Sequence, residues 1–455
     1  MERVEIASLY KATPADGSKV TVCGWAKTVR DSKKIGFISL ADGSCYKPVQ
    51  IVFQADKLEN YAEVAKSGLY TSFEVTGTLV LTPNAKQPFE INADTVTVLG
   101  TCGSDYPLQK NKMGMDYLRT LTHLRPRTNT FNAAFRVRGQ AAYALHEFFH
   151  KNGFTYVHTP IFTGSDCEGA GEMFQVTTLD LNDVPKTEDG KVDYSKDFFK
   201  RPVNLTVSGQ LEAEAMAMAL GKVYTFGPTF RAEKSYTNKH STEFSGFDLE
   251  FSYITSYKDV MKMEEELLTA GLKAVKEQYG EQIKEMFGLE VVVPTTPFPV
   301  VKLADLYKGL EEEFGYTVDD SEKGDLTTEA ERLSYDWVKK HYGHEFLFIT
   351  DYSAEKRAFY HMRDENGVPQ GYDLIWRGVE ITTGAQREHR YEVLKKQAEE
   401  KGLAEDVKFY LEFFQYGCPP HGGFGLGIDR LTMLLCGLSI KDAEFLFRGP
   451  NRLTP

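Results

Sequence analysis

Arg231, Arg430, Asp373 and Glu380 are the side chains from which a chemistry can first be built. Arg231 closes an apolar alternation running from Val223 to Phe230, which predicts a strand with Phe226, Thr229 and Phe230 large enough to need burial. Glu233, Lys234, Lys239 and His240 follow in a polar loop, and a second apolar run opens at Phe244. The pattern is a hairpin with Arg, Glu and His at its mouth. A guanidinium offers a planar fork of donors for phosphate, and a ring such as Phe244 can stack on a purine. Taken alone, an ordinary hairpin with a solvated basic loop accounts for the same residues. Downstream, Asp373 and Glu380 share one apolar ribbon with Thr383 after them, a set of hard oxygen ligands suited to Mg²⁺ that is also held by phosphates. Arg430 stands where the Gly-rich strand HGGFGLG runs into a helix. That strand lacks the GK[ST] ending of a P-loop and does not match GxGxxG before a helix, so neither of those nucleotide folds is supported. Together the residues favour a nucleotide site.

The elements that must position them follow from length and patterning. A chain of 455 residues with 42% hydrophobic content is long enough for two to four domains with filled cores. A net charge of −12 excludes a generally basic nucleic-acid binder but leaves room for a local basic face. The six cysteines fall in no CxxC or Cys/His metal spacing and read as reduced, mostly buried thiols. The first residues lack a basic-then-apolar leader, and no apolar run nears the ~20 residues of a membrane span. The expectation is a cytoplasmic chain with no membrane partner.

Residues 1–103 alternate in five short strands punctuated by Gly, Asp-Gly and Pro, which predicts a small closed barrel of the OB type. Arg30, Phe37 and Gln50 combine cation, ring and amide, the composition of a base-stacking platform; the plain alternative places Phe37 in the core. Residues 104–130 lack periodicity and read as a hinge with an extended entry at HLRPRT. Residues 131–455 form the remaining domain. Within it, a helix is predicted from about Asn132 to Asn152, and the strand TYVHTPIF is interrupted by Pro160. The segment from Asp183 to Lys200 is a loop-like insertion. Helices are predicted over SYKDVMKMEEELLTAGLKAVKEQYG, Leu303–Phe314, Thr328–Tyr342, QREHRYEVLKKQAEEKG and DVKFYLEFFQYG. Glu168 lies in a Gly-rich turn where backbone can approach a ligand closely.

FRAE, the Gly-rich strand and the IDRL helix start resemble motifs 2 and 3 of class II aminoacyl-tRNA synthetases, and the helix before Gly153 with its Pro160 strand resembles motif 1. The preceding barrel is similar to that of the aspartyl, asparaginyl and lysyl subgroup. HLRPRTNTF, GSDCEGAGEMF, VSGQLEAEAMA and YTFGPTFRAE are similar to the asparaginyl members. The resemblance implies an α+β protein, an OB-type barrel followed by an antiparallel catalytic sheet flanked by helices. It implies a homodimer through motif 1, and activation of asparagine with ATP before transfer to the 3′-terminal adenosine of tRNA(Asn). By motif, Arg231 would hold the α-phosphate, Arg430 the γ-phosphate and His240 the pyrophosphate end. Phe244 would stack adenine, with Glu233 and Glu380 in the same ATP site. Asp373, Glu380 and Thr383 would hold Mg²⁺, Glu168 and Gln210 the substrate ammonium, and Arg30, Phe37 and Gln50 the central anticodon base.

Asparagine and aspartate are nearly isosteric, so charge and donor count must separate them. Arg387 can donate to either side chain. Ala213 stands where the aspartyl enzymes carry a lysine, and Glu214 follows it as an acceptor for an amide NH₂. Such a site can discriminate by roughly 10⁴ to 10⁵. Segments such as EFSGFDLEFSY and WRGVEITTGAQREHRY resemble aspartyl enzymes, which keeps aspartate specificity open beside a non-charging RNA-binding paralogue or an amide-forming ligase without tRNA.

Overall fold

The computed structural model describes residues 2–109, 113–164, 173–232, 234 and 237–453, so Glu168 and Glu233 lie outside it. The chain divides into two compact units, Met1–Leu118 with Arg127–Asn132, and Arg119–Pro126 with Ala133–Pro455.

In the first unit helix α1 (Ile6–Lys11) precedes strands β1 (Lys19–Asp31), β2 (Ile35–Ala41) and β3 (Val49–Gln54). Helix α2 (Tyr61–Ala65), β4 (Ser72–Leu81) and β5 (Phe89–Gly100) complete it. The strands close into a barrel in the order β1-β2-β3-β5-β4. Period-two alternation sends Val22, Ile38, Leu40, Ile51, Phe53, Phe73, Val75 and Ile91 inward, and α1 adds Ile6 and Leu9. Phe37 is not part of this core. It is half-buried on the outer face, paired across strands with Arg30, whose guanidinium lies 5.6 Å from its ring. Gln50 shares the neighbouring strand and donates to Glu90 at 3.0 Å.

The stretch expected to be a plain hinge has structure. Helix α3 (Met115–Thr120) and a 3₁₀ turn at Arg125–Arg127 occupy it, and helix α4 (Asn129–Lys151) starts earlier than its apolar stripe suggests. Arg125 is wholly buried, with Asp442 at 3.3 Å and the carbonyls of Lys441 and Glu444 at 2.8 and 2.5 Å. Partners more than 300 residues away thus hold Arg125 in a stretch that has no local periodicity.

The second unit continues with β6 (Thr155–Tyr156), β7 (Phe162–Thr163), β8 (Gln175–Val176), β9 (Val203–Leu205), α5 (Gln210–Leu220), β10 (Lys222–Phe230), β11 (Glu243–Ser252) and α6 (Tyr257–Phe287). It ends with β12 (Val300–Lys302), α7 (Leu303–Phe314), α8 (Thr328–Tyr342), β13 (Phe346–Thr350), β14 (Gly371–Trp376), β15 (Val379–Gln386), α9 (Tyr391–Glu400), α10 (Lys408–Phe413), β16 (His421–Gly427), α11 (Ile428–Cys436) and α12 (Ile440–Ala443). An eight-stranded sheet runs β12-β13-β14-β15-β16-β11-β10-β6, antiparallel except at the two outer pairs, β12 with β13 and β10 with β6. Pro160 splits the expected strand TYVHTPIF into β6 and β7, and β7 joins a separate small sheet with β8 and β9. Helix α6 runs past Gly280 to a left-handed Gly288 and opens on a capping box of Ser256 and Asp259. QREH is not helical: β15 extends through Gln386, and Arg387 bridges to His361.

Alternation along the strands decides which side carries chemistry. Phe247, Leu249 and Phe251 of β11, Tyr372 and Leu374 of β14, and Phe424 and Leu426 of β16 join α4, α6 and α11 in one core. Asp248, Glu250, Asp373, His421, Gly423, Gly425 and Gly427 therefore share the opposite face.

Candidate active site

That opposite face carries a cavity of about 500 Å³, lined by Gln210, Arg231, His240, Phe244, Glu380, Thr383, Arg387 and Arg430, with Asp248, Arg357 and His361 beside them. The strands and the helix start on which these residues sit are hundreds of residues apart in sequence but adjacent in the sheet. One end of the cavity is cationic and aromatic. The Arg231 guanidinium lies 5.7 Å from the Phe244 ring. Arg430 donates to the carbonyl of Glu380 at 2.8 Å and faces its carboxylate at 3.5 Å. The loop between β10 and β11 is tied to this end: Arg430 also reaches the Lys239 carbonyl at 3.3 Å, and the Lys239 ammonium pairs with Glu331. Glu331 in turn accepts from the Glu380 amide.

Asp373 and Thr383 face each other across β14 and β15, as the ribbon requires, but their atoms are already engaged. Arg357 grips the Asp373 carboxylate with two hydrogen bonds of 2.9 and 2.6 Å, and the Thr383 hydroxyl donates to it at 2.8 Å. The expected cation set is thus divided: Asp373 lies behind the wall with its charge countered, whereas Glu380 and Thr383 line the cavity. Desolvation and the neighbouring Asp373 carboxylate raise the Glu380 carboxyl above its ordinary value. Glu380 thus brings a carboxylate to the cavity wall beside Asp373 and Glu331, with Arg430 opposite it.

At the other end, Arg387 is 3% exposed and bound by Glu250, with Nη2 2.5 Å and Nε 3.1 Å from one carboxylate oxygen. Burial works against its charge, and Glu250 and Glu214 more than restore it. Asp248 accepts from the Gly209 amide at 3.0 Å and the Ser208 hydroxyl at 3.2 Å. His361, 3% exposed, is driven well below its ordinary value by burial and by the charges of Arg357 and Arg387, so it is a neutral imidazole.

Glu214 does not line the cavity. It is completely buried behind Gln210, which donates from Nε2 to its Oε1 at 2.9 Å. The Tyr410 hydroxyl at 2.8 Å and His421 Nε2 at 2.7 Å serve its other oxygen. A direct contact with a substrate amide was expected of Glu214, but its place is behind the cavity lining, with protein donors on both carboxylate oxygens. Glu214, Glu250 and His421 offer ligand atoms within 4.8 Å of one another. All three are consumed by ion pairs with a guanidinium among them, which opposes a resident metal.

Asp248, Glu250, Arg357, Tyr410 and His421 were not singled out from sequence. A signal for the first two existed: in EFSGFDLEFSY two acids interrupt apolar positions at a spacing of two, which puts both on one strand face.

A family model described as "tRNA synthetases class II (D, K and N)" matches residues 115–447, and one described as "OB-fold nucleic acid binding domain" matches residues 20–99. The barrel, the mostly antiparallel sheet and the cavity between two arginines thus define a class II synthetase. The chain is 46% identical to the asparagine–tRNA ligase of Clostridium kluyveri, over 99% of each. It superposes on asparaginyl-tRNA synthetase from Pyrococcus horikoshii complexed with asparaginyl-adenylate with a TM-score of 0.86, at 28% identity and over 100% of both chains. An aspartyl-tRNA synthetase from Entamoeba histolytica gives a TM-score of 0.82 at 25% identity, covering 100% of this chain and 93% of that one. The chain belongs to the asparagine–tRNA ligase family.

Proposed function

We propose that the chain activates asparagine with ATP and transfers it to the 3′-terminal adenosine of tRNA(Asn). The observation that carries this reading is the buried Arg387–Glu250 pair, whose arginine lines a cavity that also presents Arg231 and Arg430. A side-chain pocket whose cation, Arg387, is already matched by Glu250 suits a neutral amide better than a second carboxylate, which would add a negative charge that this pair does not offset. Arg387 donates to the amide oxygen, and Glu250 holds its guanidinium in place from behind. Gln210 and Asp248 supply acceptors for the substrate ammonium.

Phe244 stacks adenine, Arg231 holds the α-phosphate through the in-line displacement, and Arg430 with His240 holds the pyrophosphate end. The Glu380 carboxylate on the cavity wall fits Mg²⁺, which Glu380 would hold together with phosphate oxygens, and Thr383 stands beside it. A cation held there would supply positive charge against the leaving pyrophosphate. Asp373, already gripped by Arg357, tunes Glu380 through its field. The outer barrel face with Arg30, Phe37 and Gln50 takes the anticodon.

A homodimer is supported by the edge position of β6 and by Tyr143 and Tyr156, which are 62% and 56% exposed on α4 and β6. No helix among the described residues is long and apolar enough to cross a membrane, which accords with a cytoplasmic enzyme.

The test is to incubate purified protein with ATP, Mg²⁺, both amino acids and total tRNA, then identify the amino acid esterified to tRNA by mass spectrometry. Asparagine on tRNA(Asn) is expected. No ester, or aspartate alone, overturns the reading.

A further inference from the structure

The wall behind Gln210 is built from three elements: its own helix α5, and α10 and β16 some two hundred residues further along the chain. Glu214 is one turn along α5 from Gln210, so its carboxylate meets the Gln210 side chain at helical spacing. Tyr410 comes from α10 and His421 from the first position of β16, and both donate to Glu214 Oε2. His421 donates its other ring nitrogen to the carbonyl of Pro419 at 3.0 Å. An imidazole that donates at both nitrogens is the charged form. Burial alone would lower it, but Cys418 and Glu214 outweigh burial and push it up to about 10. Glu214 is held in its ionised form by the same contact.

An ionised carboxylate has no donor, so the side of the Gln210 amide that faces Glu214 must be its NH₂. The orientation of Gln210 is therefore not free. Its Oε1 is left as the only acceptor that the side chain can offer to the cavity it lines.

We infer that Glu214, Tyr410 and His421 are positioning residues for asparagine binding, which lock the Gln210 amide so that its carbonyl oxygen receives the substrate ammonium. This rests on the assignment of Gln210 to the ammonium. A glutamine free to flip would present a donor to a cation in half of its orientations, so the lock bears on the amino group and not on the side-chain amide of the substrate.

Succinamate, which is asparagine without its amino group, separates the two. Inhibition by succinamate and KM values for asparagine and ATP are measured in ATP–pyrophosphate exchange for the wild type, Glu214→Gln, Tyr410→Phe and Gln210→Ala. Glu214→Gln is expected to raise the KM for asparagine by roughly 10- to 100-fold, the range for a lost hydrogen bond to a charged group. The KM for ATP and the inhibition constant of succinamate stay near wild type. Tyr410→Phe, which removes one oxygen and keeps the packing, shows the same pattern at smaller size. Equal weakening of asparagine and succinamate in both variants, or unchanged asparagine binding in both, overturns the proposal. If Gln210→Ala leaves asparagine binding unchanged, the ammonium assignment itself falls, and the lock falls with it.

Discussion

Burying the Arg387 guanidinium against a sheet demands an anion beside it, because an unpaired charge there would cost several kcal/mol, about 3–5. Glu250 supplies that anion, and the pair leaves the pocket floor without net positive charge. Glu214 and His421 repeat the arrangement one layer deeper. His421 gains its proton more readily when folded than when unfolded, so its contribution to stability has a definite sign with pH. It is complete below an unfolded value near ~6.5, shrinks as the pH rises above that, and is gone once the pH passes about 10. The gap in unfolding free energy between the wild type and His421→Gln, measured by urea denaturation from pH 6.5 to 9.5, is expected to narrow steadily. A gap that holds constant or widens would contradict a charged His421.

Strand β16 shows how an element makes room for such groups. Gly423, Gly425 and Gly427 lie on the chemical face, and the Glu250 and Asp248 side chains of β11 cross over the first two. A methyl on Gly423 would meet the Leu249 carbonyl at 1.8 Å and the Glu250 carboxylate at 2.5 Å, whereas one on Gly427 meets nothing within 4 Å. Gly423→Ala is expected to lower Tm by an amount corresponding to at least about 1–3 kcal/mol and to depress asparagine activation. Gly427→Ala leaves Tm unchanged. Equal Tm values for the two variants, by calorimetry, would show that β16 does not need its glycine there. The strand itself was legible from HGGFGLG, as were α4, α7 and α8 from their apolar stripes, because each is set by local periodicity. What its glycines accommodate was not legible, since the Glu250 side chain arrives from a different strand. The burial of Glu214 was hidden for the same reason: its partner His421 is 207 residues away, and on a helical wheel a lone glutamate looks like solvated surface. Asp373 and Glu380 could be found by their chemistry, but that Arg357 would claim one of them could not.

At the scale of the molecule, the proposed function assigns its two recognition tasks to two compact units. The barrel was readable from five alternating strands, and the outward placement of Phe37 resolved a choice that alternation had left open. Residues 104–130 read as a hinge because they lack periodicity; the burial of Arg125 depends on Asp442 and neighbouring carbonyls more than 300 residues away, which no local pattern reveals. Phe37→Ala, which removes a stacking surface and leaves the barrel core intact, is expected to raise the KM for tRNA(Asn) by about tenfold or more. Asparagine-dependent ATP–pyrophosphate exchange should not change; a loss of exchange in the absence of tRNA would contradict this division. The account as a whole depends on a pocket whose charges are balanced before substrate arrives. ATP–pyrophosphate exchange with asparagine and aspartate, in the wild type and in Glu250→Gln, tests this most directly. The expected result is a wild-type preference for asparagine in kcat/KM on the order of 10⁴, which narrows in Glu250→Gln as Arg387 loses its partner. Equal use of both amino acids by the wild type, or a preference that Glu250→Gln leaves untouched, would contradict it.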